Sequence, residues 1–165
     1  MMRALVLASV VATAAVAAAS ATNGTDVVPC SIAIDQFRRP TGVERLHLVL
    51  GRIWLPRKTV QLALAARGWD RFAKIGIVVR AGRPVVLEVP LRWRGVYALE
   101  YASKRVRRVS DGSTRLSVQA CAGALGTWSA YAGGYVAKRP MCVPLIVRAN
   151  GRTTIQRVPV GRRCS

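Results

Sequence analysis

The sequence predicts an all-β protein, an antiparallel two-sheet Greek-key sandwich of about 7–8 strands with an immunoglobulin-like outline. Three observations predict this fold. Short apolar runs alternate with a period of two residues, Gly and Pro separate them, and no stretch carries a helical apolar stripe over three turns. The Cys–Trp–Cys spacing of true immunoglobulin domains is absent, so the prediction concerns the architecture alone.

The N-terminus has the three parts of a bacterial-type secretory signal peptide. Arg3 supplies the positive start, Ala4–Ala19 is apolar, and Ala19-Ser20-Ala21 gives the small-x-small cleavage pattern. An uncleaved membrane anchor is the alternative, but the apolar stretch is shorter than the roughly 20 residues that a bilayer requires. We therefore expect a secreted, extracytoplasmic protein whose mature chain has no transmembrane segment.

Three regions follow from the composition: a signal peptide (1–21), an N-terminal leader (22–42) and a single β-sandwich domain (43–165). The strand-like runs of the domain are Leu46–Leu50, Val60–Leu64, Phe72–Arg80, Pro84–Pro90, Tyr97–Tyr101, Leu116–Cys121, Cys142–Arg148 and Thr153–Val160. Asn150-Gly151 joins the last two, and this dipeptide tolerates the positive φ angles of a tight hairpin. The Gly-rich stretch 122–141 is predicted to be a long loop.

The four cysteines, all within the mature region, predict two disulfides in an oxidising compartment. A zinc site is the rival, but Cys30, Cys121, Cys142 and Cys164 are widely spaced and the chain has one His. Three pairings are possible. We expect Cys121 to pair with Cys142, at the two ends of the Gly-rich stretch, and Cys30 to pair with Cys164.

The formal net charge of +19 favours an anionic partner such as a cell-wall polymer, a membrane surface or released nucleic acid. An alternative source of this charge is GC-rich codon usage, because 22 of the 26 basic residues are Arg. We expect no specific nucleic-acid site. A charge of this size opposes self-association and favours a monomer.

Two basic clusters are the candidate binding residues: Arg92, Trp93 and Arg94, and then Arg105, Arg107 and Arg108. Exposed guanidinium and indole groups together suit sulfated, phosphorylated or carboxylated polymers. The structural alternative is that Trp93 plugs one end of the sandwich while the arginines are solvated. A second aromatic set, Trp128, Tyr131 and Tyr135, forms either a sugar-stacking surface or, as we expect, a cap over the core.

The sequence predicts no catalytic residue, no cofactor and no metal site. The single His47 alternates with leucines on a strand and lacks the partners that nucleophilic catalysis requires. Glu88 and Glu100 are the acidic residues of the strand-like runs, and each has a simple alternative as an ion-pair partner of the many arginines. A glycosidase-type pair would need the two carboxylates roughly 5–10 Å apart in a cleft.

Three stretches resemble small exported β-sandwich proteins of high-GC Gram-positive bacteria. They are Ile77–Gly82 leading into Val85–Pro90, Trp128 with Gly133–Val136, and Cys142–Leu145 with Gly161–Cys164. The resemblance spans about Leu46 to the end and rests on strand cores, glycines and cysteines. It implies export, disulfides and a β-sandwich, and it carries over no active-site residue.

Three functions are consistent with these features. The first is a non-catalytic exported or envelope-associated domain that binds an anionic polymer or lipid surface. The second is a small exported hydrolase that uses Glu88 and Glu100. The third is a protein-interaction or inhibitor module that presents the 122–141 loop.

Overall fold

The computed structural model describes residues 24–63, 67–102, 106–123 and 126–165, and this part of the chain is all-β. Its helical elements are three-residue 3-10 turns at Cys30–Ile32, Leu91–Trp93 and Val109–Asp111. The strands are β1 (Asp26–Val28), β2 (Asp35–Phe37), β3 (Leu46–Val49), β4 (Ile53–Pro56), β5 (Arg71–Lys74), β6 (Ile77–Arg80), β7 (Gly82–Glu88), β8 (Tyr97–Glu100), β9 (Arg115–Ala120), β10 (Trp128–Tyr131), β11 (Gly134–Ala137), β12 (Met141–Ala149) and β13 (Arg152–Val160). The predicted signal peptide lies outside the described residues.

The strands form three sheets, in the orders β1-β9-β7-β12-β13, β2-β10-β6-β4-β3 and β5-β11-β8. The second and third sheets share one register, because Tyr131 pairs with Ile77 and Gly134 pairs with Lys74. Between these pairs the Ile75 N–H donates to the Gly133 carbonyl at 2.9 Å. β5–β6 and β10–β11 are therefore two long strands, each interrupted once, and they join both sheets into one layer.

The main core of the described residues lies between the first sheet and this second layer. In β12 the inward positions, from Met141 to Ala149, are all buried, and they alternate with more exposed positions. The core includes all four tyrosines of the chain, Tyr97, Tyr101, Tyr131 and Tyr135, each 0% exposed. Desolvation raises the pKa of all four hydroxyls, and those of Tyr97, Tyr101 and Tyr131 hydrogen bond to main-chain oxygens of Pro144, Ile75 and Gln119.

The all-β prediction is confirmed, and most predicted strands lie where the alternation placed them. The last hairpin is confirmed in detail: β12 and β13 pair from Met141–Val160 to Ala149–Arg152. Asn150 and Gly151 form the two-residue turn with φ angles of 50° and 72°. Both angles are positive, as the twist of a tight hairpin requires.

The predicted strand count of about 7–8 is too low, since the described residues form thirteen strands. The long strands β5–β6 and β10–β11 are each split in two. In addition, β4 was not predicted, and the predicted leader supplies β1 and β2. The ladders between the strands of the predicted domain are antiparallel, and the parallel ladder is at one edge, where β1 of the predicted leader pairs with β9. The predicted strand at Val60–Leu64 is reduced, over its described residues, to a bridge between Val60 and Val160.

The stretch 122–141 is not the long loop that its glycines suggested. It contains β10 and β11, whose residues are nearly all buried. The glycines are needed for close packing within the layer: a Cβ on Gly134 would collide with the main-chain oxygen of Ala73. Trp128, Tyr131 and Tyr135 are buried, as we expected in preference to a sugar-stacking surface, but they lie on strands of the layer and not in a cap beneath a loop.

The predicted disulfide pairing is wrong: the bonds are Cys30–Cys121 and Cys142–Cys164, with Cα–Cα distances of 5.7 and 5.1 Å. Because β1 and β9 are parallel, the residues that follow them, Cys30 and Cys121, arrive side by side. Cys121 and Cys142 cannot meet, since β7 lies between β9 and β12 and pairs antiparallel with both. The C-terminal end of β9 and the N-terminal end of β12 therefore lie at opposite ends of the sheet.

Candidate functional site

A cleft of about 440 Å³ gathers part of the second predicted basic cluster with residues from an earlier connection. Its lining consists of Arg67, Gly68, Trp69, Arg107, Arg108, Ser110 and Asp111. We call it the Trp69 cleft. Two connections build it, one leading into β5 and one containing the 3-10 turn at Val109–Asp111.

Asp70 fastens the two connections to each other. Its main-chain N–H donates to the Arg107 carbonyl at 2.8 Å, and its Oδ2 accepts the N–H of Val109 at 2.8 Å. Arg108 adds a third link, because its Nε donates to the Gly68 carbonyl at 3.2 Å. The cleft is thus held by hydrogen bonds that use main-chain groups on both sides.

The cationic and aromatic groups of the cleft are stacked. The guanidinium of Arg107 lies 4.8 Å from the centre of the Trp69 ring, within the range of a cation–π contact. Trp69 is 39% exposed, which leaves part of the indole surface open to solvent. The arrangement offers a flat ring and a charged group to one ligand.

The acid of the cleft, Asp111, is engaged in local structure. Its Oδ2 accepts the main-chain N–H groups of Arg108 at 2.9 Å and Arg107 at 3.2 Å. These hydrogen bonds, led by that of Arg108, lower the pKa of Asp111 and keep it ionised. The lining still has three arginines to one carboxylate, so the cleft favours an anionic ligand.

The first predicted cluster is divided between the core and an ion-pair group. Arg92 lies over Trp93, 5.8 Å from the ring centre, and Trp93 packs on the main core. Arg94 lies 3.9 Å from the carboxylate of Glu88. Arg92, Trp93 and Arg94 are therefore not part of the Trp69 cleft.

The structure places the two candidate carboxylates in different sheets. Glu88, in β7, is surrounded by Arg94, Arg115 and Arg148 at 3.9, 3.9 and 3.5 Å. Glu100, in β8, lines a separate small pocket, and desolvation raises its pKa. Glu88 thus has the ion-pair role that was its structural alternative, and it does not line the pocket that contains Glu100.

The β10 and β11 strands of the 122–141 stretch are buried in the layer, so the described residues give no support to an inhibitor loop. No group of three or more His, Cys, Asp or Glu side chains converges as a metal site within the described residues. The same part of the chain has no helix that is long and apolar enough to cross a membrane.

The sequence prediction missed Arg67 and Trp69, although Arg67-Gly68-Trp69-Asp70-Arg71 interleaves Arg and Trp much as the Arg92–Arg94 cluster does. The two connections are joined through Asp70, and this tertiary contact is not visible in the sequence. Arg105, the remaining predicted binding residue, lies outside the described residues.

Comparisons of the chain with protein-family models, with curated proteins and with solved structures found no match.

Proposed function

We propose that this protein is a non-catalytic, exported binding domain that attaches to an anionic polysaccharide of the cell envelope through the Trp69 cleft. In this proposal the chain is secreted as a monomer, and its fold is an immunoglobulin-like Greek-key sandwich of the kind found in small exported proteins of high-GC Gram-positive bacteria. The observation that carries the proposal is the stacked pair of Arg107 and Trp69 in an arginine-rich cleft.

A polysaccharide fits this cleft better than a lipid surface does. Sugar rings stack on half-exposed indoles, and acidic substituents on the sugars pair with guanidinium groups. A membrane surface would attract the charge of the whole domain without requiring an aromatic ring inside a cleft. The two disulfides suit a domain that works in an oxidising compartment.

The test compares retention on an immobilised polyuronate of the wild type, Trp69→Ala and the double variant Arg107→Ser/Arg108→Ser. The matched control is Arg38→Ser/Arg39→Ser, which removes the same charge from exposed positions outside the cleft. We expect the wild type to elute at the highest salt, the control slightly earlier, and both cleft variants well before the control.

Elution of the cleft variants together with the control would show that net charge alone determines binding, and it would overturn the proposal. Vesicles containing anionic phospholipid serve as the second ligand. Vesicle binding that exceeds polyuronate binding and is indifferent to Trp69→Ala would assign the basic surface to membranes instead.

A further inference from the structure

A second groove, of about 590 Å³, is more uniformly cationic than the Trp69 cleft. Four basic side chains line it, Arg57, Lys58, Arg157 and Arg163, together with Thr59, Pro159 and Cys164. The lining includes no acidic residue and no aromatic ring, and it shares no residue with the Trp69 cleft. We call it the disulfide groove.

Three separate segments of the chain form this groove, and hydrogen bonds fix their main chains. The Arg57 and Lys58 N–H groups, just after β4, donate to the Arg45 carbonyl at 2.8 and 3.3 Å. The Val60 N–H donates to the Pro159 carbonyl at 2.8 Å, which joins this segment to the end of β13. These hydrogen bonds position two of the three segments, the one after β4 and the end of β13.

The position of the third segment, which contains Arg163 and Cys164, depends on a disulfide. After β13 the chain turns at Gly161, whose N–H donates to the Val60 carbonyl at 2.8 Å. The bond between Cys142 and Cys164 then fastens the following residues to β12 and brings Arg163 to the groove. The position of Arg163 is therefore tied to the oxidised state of this pair.

The four cations have no acidic partner among the described ion pairs, which involve the carboxylate of Glu88. All four residues are exposed. Arg157 donates from Nη1 to the main-chain oxygen of Ser165 at 2.9 Å. Four like charges around one groove repel one another, and an anion of matching charge would relieve that repulsion.

We propose that the disulfide groove is a second anion site, which binds a chain of closely spaced phosphate groups and requires the Cys142–Cys164 bond. One carboxylate or one phosphate would neutralise only part of the four charges. A phosphate chain carries charge at every link, and its oxygens match the forked donors of arginine. The absence of a ring in the lining separates this ligand from the one proposed for the Trp69 cleft.

The test measures the affinity of the full chain for tripolyphosphate by titration calorimetry at low and moderate salt. The groove variant is Arg57→Ser/Arg163→Ser, and the matched control is again Arg38→Ser/Arg39→Ser. We expect the groove variant to bind about tenfold more weakly or worse, and the control to stay within about threefold of the wild type. The variant Cys142→Ser/Cys164→Ser, confirmed as folded by circular dichroism, should lose affinity like the groove variant.

This outcome is independent of the Trp69 cleft, because Arg107→Ser/Arg108→Ser should retain tripolyphosphate binding at the level of the charge-matched control. Equal affinities of the groove variant and the control would overturn the inference, as would absence of binding by the wild type at low ionic strength. Vesicles of phosphatidylglycerol form the last arm. Groove-dependent binding to vesicles without binding of tripolyphosphate would replace the phosphate chain with a lipid headgroup surface.

Discussion

Removal of the disulfides one at a time provides a quantitative test of the observed pairing. The Cys30–Cys121 bond closes a loop of 91 residues and the Cys142–Cys164 bond closes a loop of 22. In the chain-entropy account these loops correspond to about 4.6 and about 3.4 kcal/mol of stability. We expect Cys30→Ser/Cys121→Ser to lower the free energy of unfolding by about 1 kcal/mol more than Cys142→Ser/Cys164→Ser does.

The decisive variant is Cys121→Ser/Cys142→Ser, which removes one partner from each observed bond. It should lose about 8 kcal/mol, which is close to or above the total stability of many single domains. Urea denaturation followed by circular dichroism measures all three variants. If the decisive variant were as stable as the single-disulfide proteins, Cys121 and Cys142 would be bonded to each other and our account of the sheet order would be refuted.

Peptide mapping under non-reducing conditions gives an independent check. Trypsin cuts after Arg115, Lys138, Arg148 and Arg163, so each cysteine falls in a different peptide. We expect the 116–138 peptide to be linked to the peptide that contains Cys30. The 139–148 peptide should be linked to the peptide that begins at Cys164.

Three further predictions concern the turn and the buried ionisable groups. Gly151→Ala should lower the free energy of unfolding by about 1 kcal/mol in urea denaturation, because the φ angle of Gly151 is 72°. The control is Gly24→Ala, whose Cβ would meet open space, and equal effects of the two substitutions would contradict the turn assignment. Burial raises the pKa of all four tyrosines above the usual 10.0, so the folded protein should show no tyrosinate absorbance near that pH, and such a signal from intact protein would refute this. The free energy of unfolding should fall as the pH rises further, because the unfolded chain releases these protons first. Burial also raises the pKa of Glu100, so the folded state releases this proton at higher pH than the unfolded state and loses stability as the pH rises through that range. The stability gain of Glu100→Gln over wild type should therefore increase from about pH 4 to about pH 7, and a constant difference in thermal unfolding would contradict it.

The parts of the fold that depend on local pattern were predictable from the sequence. Alternation at Val85 and Leu87 identified β7, and Asn150-Gly151 identified the hairpin, because side-chain period and turn φ angles are properties of neighbouring residues. β10 and β11 were missed because the glycines around them suggest a loop. The reason for Gly134 is visible only in the structure, where the main chain of Ala73 lies too close for a Cβ.

The remaining errors share one cause, which is that sheet order is not encoded in any single segment. The disulfide pairing depends on β7 lying between β9 and β12, and on β1 entering parallel to β9. The Trp69 cleft likewise depends on Asp70 joining two connections that lie far apart in sequence. Arg107 and Arg108 were predictable from charge alone, whereas their aromatic neighbour Trp69 was not.

The disulfide pairing also determines how the chain responds to a protease. A single cut anywhere between Cys30 and Cys121, or between Cys142 and Cys164, leaves the two fragments covalently joined. Between the two loops, a cut that separates the halves must fall within 122–141. Within that stretch β10 and β11 are shielded from hydrolysis by burial, whereas Lys138 and Arg139, just after β11, are exposed. The exposed arginines inside the two disulfide loops can thus be nicked while the molecule stays in one piece, and the exposed turn at Lys138 and Arg139 is where a single cut divides it.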